Sequence, residues 1–208
     1  MKLLTSPTDF PSASTFHYLN AANVSLMYSE ANKVNQEWFQ DLSLNGSNNF
    51  NEKTEENVFN EIHKAAATFI NAKPYEIAGG SSATELLASL AWSISPKKDE
   101  NIVSTSSAFP STVYPWSRVA KNTGTQVRLA ESKNGFSSIN SISNIIDKNT
   151  SVVCISHTEY SSGHTYDLDL LADLTHKKGA ILVVDATQSA GAIPVSYTHL
   201  TLPTTGVV

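Results

Sequence analysis

The sequence has a single cysteine, Cys154, which excludes an internal disulfide framework and a multi-cysteine metal site. Basic residues are also scarce: 14 Lys and Arg against 19 Asp and Glu give a net charge of −5 and a pI near 5.6. A nucleic-acid binder would carry a basic face, so that partner class is not expected. No apolar run approaches the ~20 residues needed to span a bilayer. The start, Met1-Lys2-Leu3-Leu4-Thr5-Ser6-Pro7, has one positive charge and no apolar stretch behind it, so it does not read as a secretory signal. Neither a Walker loop nor a Gly-x-Gly-x-x-Gly fingerprint is present, which weakens a nucleotide-binding reading. These absences leave a soluble cytoplasmic protein as the expectation.

What is present is enough for one sizeable core: 208 residues, 40% of them hydrophobic. Residues 26–44 place Leu26, Val34, Trp38, Phe39 and Leu42 at helical spacing, and residues 45–54 read as a polar loop. Residues 55–70 align Val58, Phe59, Ile62, Ala66 and Phe69 on one helical stripe. From Tyr75 onward short strands alternate with helices. Strands are predicted at 76–78, 101–104, 126–130, 151–156 and 180–185, with helices at 84–95, 111–122, 139–146 and 168–178. Continuous apolar runs such as Val152-Val153-Cys154-Ile155 suit strands buried on both faces. The alternation implies an α/β fold, a largely parallel sheet with helices on both faces. Residues 196–208 break the pattern: they contain no Asp, Glu, Lys or Arg and resemble translated adaptor sequence, the alternative being a genuine short tail.

In such a sheet ligands bind beyond the carboxyl ends of the strands, and four segments there carry candidate chemistry. Gly79-Gly80-Ser81-Ser82-Ala83-Thr84-Glu85 fits a phosphate, because small residues admit an anion to the free N–H groups of a helix start. The same run also suits an ordinary helix cap. Phe109-Pro110 puts an aromatic ring at the crevice, where it can stack on a flat ligand or simply join the core. His157 and Tyr160 follow the fourth strand, His157 being a catalyst or a structural hydrogen-bonder. Asp185 ends the last apolar strand, with Gln188 three residues on. A buried carboxylate is costly unless it meets a cation, and a protonated pyridine nitrogen is such a partner; an Asp capping the next helix is the alternative.

Together these segments resemble the class V aminotransferase group of fold-type I pyridoxal-phosphate (PLP) enzymes, which includes cysteine desulfurases, selenocysteine lyases and kynureninases. Residues 183–195, Val-Val-Asp-Ala-Thr-Gln-Ser-Ala-Gly-Ala-Ile-Pro-Val, match the group's Asp-x-x-Gln segment. Phe109-Pro110-Ser111 with Tyr114-Pro115-Trp116 looks like its ring-stacking segment, Ser82-Ala83-Thr84-Glu85 like its phosphate loop, and Tyr18-Leu19-Asn20-Ala21-Ala22 like the N-terminal segment lining the substrate side. The resemblance runs from about Tyr18 to Val195.

The resemblance implies PLP as cofactor, with Asp185 on the pyridinium nitrogen, Gln188 on the phenolic oxygen, Phe109 on the ring face, and Ser82, Ala83 and Thr84 around the phosphate. His157 and Tyr160 would lie near the ring edge or substrate. Phe109 and Tyr160 stand where desulfurases carry His and Asn, which leans toward the kynureninase-like or general aminotransferase branch. The implied reaction is transamination or carbon–sulfur or carbon–carbon lysis of a small-molecule amino-acid substrate through an external aldimine, in a homodimer with no nucleic-acid or membrane partner. The implied layout is an N-terminal arm at 1–25, a partial PLP-binding large domain at 26–195 and a non-native tail at 196–208. The group's Schiff-base lysine follows the Asp-x-x-Gln segment by roughly two dozen residues, yet no lysine occurs after Lys178. A truncated, inactive fragment without its small C-terminal domain is therefore expected, the alternative being a lysine-less module that binds PLP or another phosphorylated ligand. Cys154, inside a strand, reads as core.

Overall fold

The structure, a computed structural model, describes residues 6–193, so the tail at 196–208 lies outside the described residues. The chain divides into two compact units, Met1–Asn60 and Glu61–Val208.

The first unit is built on α1 (Ser29–Asn45) and α2 (Glu52–Asn57). α1 closes at Gly46, whose backbone has φ +59° and whose N–H reaches the Leu42 carbonyl at 2.9 Å. Its apolar stripe is not core: α1 has no buried residue, and Val34, Trp38, Phe39 and Leu42 are all exposed. The predicted polar loop is interrupted, because the Asn51 side chain accepts the Thr54 N–H at 3.1 Å and starts α2 at Glu52. The helix predicted over 55–70 is accordingly two helices, the second being α3 (Asn60–Ile70).

The second unit carries a four-stranded, wholly parallel sheet in the order β2-β1-β3-β4. The strands are β1 (Asn101–Thr105), β2 (Gln126–Ala130), β3 (Thr150–Ser156) and β4 (Ile181–Asp185). The helices are α4 (Ala83–Ile94), α5 (Pro110–Thr123), α6 (Ile139–Ser143) and α7 (Leu168–His176). The strand predicted at 76–78 is absent: Pro74–Glu76 is a short 3-10 turn. Pro74 fixes its own φ at the first helical position, and the Glu76 carboxylate accepts the Lys73 N–H at 2.8 Å, so the backbone turns rather than extends.

The sheet is covered on both sides, as its apolar runs require. Val103, Val153, Ile155 and Leu182 pack with Ile142 and Leu171 of α6 and α7. Ile102, Val152, Cys154 and Val183 pack with Leu87, Ala91, Trp116 and Val119 of α4 and α5. Alternate residues of each strand thus enter opposite clusters, and each fully buried aliphatic side chain contributes about 1.5–3 kcal/mol. Burial also pushes the Cys154 thiol up to about 12, so this cysteine behaves as an inert apolar side chain. No helix among the described residues is long and apolar enough to cross a membrane.

Candidate functional site

Because all four strands are parallel, their carboxyl ends lie together, and β3 and β4 stay in register to the last pair, Ser156 with Asp185. The next link continues the ladder, the His157 N–H donating to the Asp185 carbonyl at 2.9 Å. Asp185 is half-buried. Its Oδ2 accepts the Thr112 hydroxyl at 3.1 Å, and its Oδ1 accepts both the Thr187 N–H at 2.9 Å and the Thr187 hydroxyl. The carboxylate therefore caps a turn, not a helix, and is also gripped from α5. Three donors leave one of a carboxylate's about four acceptor positions open. Among the described residues no cationic side chain forms an ion pair with Asp185; the pairs are Lys64–Glu61, Arg128–Asp147 and Lys177–Asp173.

Phe109 is not core. It immediately precedes Pro110, which opens α5, and its ring is 47% exposed. Its carbonyl accepts the Thr112 N–H at 2.9 Å, which ties Phe109 through Thr112 to Asp185. The Tyr160 ring, also exposed, stands edge-on to Phe109 with centroids 5.2 Å apart at 85°. His157 is buried, and its Nδ1 lies 2.8 Å from the Ser189 hydroxyl. Burial holds the His157 pKa below its ordinary 6.5, which favours the neutral ring. Gln188 is exposed in the turn after β4, and no hydrogen bond fixes its side chain among the described residues.

The loop before α4 caps the helix and leaves two N–H groups without an acceptor among the described residues. The Ser82 hydroxyl accepts the Glu85 N–H at 3.2 Å, the ordinary N-cap bond. Ala83 and Thr84 open the helix, so their N–H groups lack a carbonyl one turn back, and none of the described residues supplies an acceptor. The Glu85 carboxylate reaches over to the Ser81 hydroxyl at 2.6 Å and its N–H at 2.7 Å, bonds that hold its pKa below the usual carboxylate range. A Cβ at Gly80 would stand 2.7 Å from Leu86 Cδ2, so a larger residue there requires the exposed Leu86 side chain to move.

The structure thus links Phe109, Tyr160, His157, Asp185 and the turn bearing Gln188 into one corner. No hydrogen bond or ring contact joins Ser82, Ala83 or Thr84 to that corner; α4, which they open, packs against α5. Sequence reasoning did not single out Thr112 or Ser189. Thr112 follows the aromatic Phe109 by three residues, one helical turn, which places it on the same side of the crevice. Ser189 sits inside the Asp-x-x-Gln run and carried no separate signal.

The chain is similar to several known proteins. An uncharacterized aminotransferase of Bacillus subtilis, YcbU, is 29% identical over 89% of the chain and 49% of its own length. A probable cysteine desulfurase of Pyrococcus abyssi is 30% identical over 68% of the chain and 36% of its own length. A kynureninase of Pseudomonas fluorescens is 33% identical over 45% of the chain. The chain therefore spans about half, or less, of the curated relatives it matches. Among solved structures, the apo cysteine desulfurase of Thermococcus onnurineus superimposes with a TM-score of 0.76 at 25% identity, over 93% of the chain and 49% of its own. A C-DES mutant with glycine linked to its PLP cofactor shares the fold, with a TM-score of 0.82 at 18% identity over 94% of the chain and 53% of its own. The description Aminotransferase class-V matches residues 17–202, and the chain belongs to that PLP-dependent family.

Proposed function

We propose that the crevice at the carboxyl ends of β3 and β4 holds PLP and serves an amino-acid substrate. One observation carries the reading: Asp185 is a half-buried carboxylate at the end of a buried strand, fixed by Thr112 and Thr187, with an acceptor position open and no cation among the described residues. A carboxylate so fixed, with an acceptor position open toward the crevice, suits a positive partner. The residues fit the cofactor in other respects too. Phe109 presents an exposed ring, and the free N–H groups of Ala83 and Thr84 with the α4 dipole suit a phosphate.

When bound, PLP supplies an electron sink for chemistry at the α-carbon of an amino acid. The chain's own residues do the rest. Asp185 would hold a proton on the ring nitrogen by opposing its loss, and Gln188 would donate to the ring oxygen. Phe109 would support one ring face, Ser82, Ala83 and Thr84 would hold the phosphate, and Tyr160 would lie near the ring edge or substrate. Neutral His157, its Nδ1 engaged by Ser189, keeps Nε2 for the ring edge or substrate. Phe109 and Tyr160 favour transamination or kynureninase-like lysis over desulfuration. A cytoplasmic homodimer is the assembly we propose for the whole protein.

Equilibrium dialysis of the 208-residue chain against PLP tests this. Asp185→Ala is expected to weaken binding by about tenfold or more, the value of one charge-assisted contact. Binding indifferent to Asp185→Ala overturns the reading. Since no lysine follows Lys178, borohydride treatment of this chain with PLP is expected to leave no adduct at one specific lysine.

A further inference from the structure

The hairpin after β3 contains an acid that the cradle described above does not use. Glu159 is 1% exposed. Its Oε1 accepts hydroxyl hydrogen bonds from Ser107 at 2.8 Å, Thr105 at 3.1 Å and Tyr166 at 3.1 Å. Its Oε2 is buried with no partner, and no described cationic side chain pairs with it. Such a carboxylate is costly to bury, and a well-packed apolar residue would serve stability as well or better. An account of it has to come from what it holds in place.

The three donors come from different segments. Thr105 is the last residue of β1, and Ser107 lies in the turn that leads to Phe109 two residues later. Tyr166 is on the return arm of the hairpin, just past the bridge between Thr158 and Thr165. Burial raises the Tyr166 pKa, so the phenol stays protonated and donates. Glu159 itself precedes Tyr160, whose ring meets Phe109 edge-on at 5.2 Å. One carboxylate oxygen therefore ties together the two loops that carry the two rings.

The far end of the hairpin has anchors of its own. The Ser162 hydroxyl donates to the Gly135 carbonyl at 2.9 Å, and His164 stacks on Phe136 at 3.9 Å and 16°. Gly135, at φ +82°, has no room for a Cβ, which would stand 2.9 Å from Ser162 Cβ. The hairpin is thus held at its tip without Glu159. What Glu159 adds, at the base, is alignment of the two loops.

We infer that Glu159 is a positioning residue that sets the perpendicular Phe109–Tyr160 pair, and through it the orientation of a flat ligand on Phe109. The second half rests on the reading of Phe109 as the cofactor platform. The test uses the 208-residue chain with isotope-labelled aromatic rings. Tyr160 ring shifts are followed without ligand, with Phe109→Leu as the reference for a lost ring pair, and PLP affinity is measured in parallel. Ser107→Ala, which cuts the strut to the Phe109 loop, and Glu159→Leu are both expected to move the Tyr160 shifts toward that reference. Both are expected to weaken PLP binding by roughly threefold to tenfold, and the double variant no further than the worse single one. Glu159→Gln keeps an acceptor oxygen and is expected to restore shifts and affinity. Thr105→Val lowers stability and leaves both at wild-type values.

Wild-type shifts in Ser107→Ala and Glu159→Leu, or a Glu159→Gln no better than Glu159→Leu, overturn the inference. Shifts that move while Phe109→Leu binds PLP normally uphold the alignment and remove the platform, so the two failures are told apart.

Discussion

The two ends of the parallel sheet treat carboxylates in opposite ways. At the amino end, ahead of β3, Asp147 meets Arg128 at 2.6 Å, the buried Asn101 amide at 2.9 Å and the Asn149 N–H at 2.8 Å. The Arg128 hydrogen bond, then the Asn101 bond, hold the Asp147 pKa well below the usual range. At the carboxyl end, Asp185 and Glu159 have only hydroxyl and N–H donors, and no described cation pairs with either. A charge that only holds the fold together is neutralised within the chain. Of the two left without a cation, half-buried Asp185 keeps an acceptor position open at the ligand-binding end, whereas buried Glu159 holds loops of its own chain.

Five changes probe that contrast. Asn101→Ala removes a buried amide that bonds Asp147 and accepts the Thr150 hydroxyl at 2.8 Å. The expected loss is about 1–3 kcal/mol in chemical denaturation, with PLP affinity unchanged. Thr112→Val keeps the shape of a fully buried side chain but cuts its bond to Asp185. It is expected to cost about 1–2 kcal/mol and, unlike Asn101→Ala, also to weaken PLP binding; equal effects from both variants on affinity would erase the distinction between the ends. Ser82→Ala deletes the α4 cap for about 1 kcal/mol and tests whether the phosphate corner depends on the helix start.

The smallest effects are those of pH. Asp147 has a folded pKa below its ordinary 3.8, so its contribution is full above 3.8 and fades as pH falls further; Asp147→Asn flattens that acid limb. His157 has a folded pKa below 6.5, so the fold favours its neutral ring and loses stability as pH drops from 6.5 downward; urea midpoints of His157→Gln are expected to lose that slope.

Much of the fold is legible in the sequence. The continuous apolar runs of β3 and β4 declare strands buried on both faces, because only a sheet covered on two sides can hide consecutive side chains. Other elements were not legible. Residues 76–78 carry an apolar end that reads as a strand, but Pro74 and the Glu76 cap make a turn there, and no described strand pairs with them. The helical stripe of α1 was real in period yet says nothing about what it faces, and in the structure its large apolar side chains are exposed.

The sequence by itself determined the layered α/β class, the order of the segments and the identity of Asp185, Phe109 and the Ser82–Thr84 loop as candidates. These follow from local periodicity, from residues that sit just past strands and, for the Ser82–Thr84 loop, from small residues ahead of an apolar helix. Only the tertiary structure decided which groups meet. It brought Thr112 to Asp185, Ser189 to His157, and Ser107, Thr105 and Tyr166 to Glu159, across separations that no local pattern encodes. Hydrogen-bond partners far apart in the chain are set by how the strands align, and that register is a property of the packed sheet.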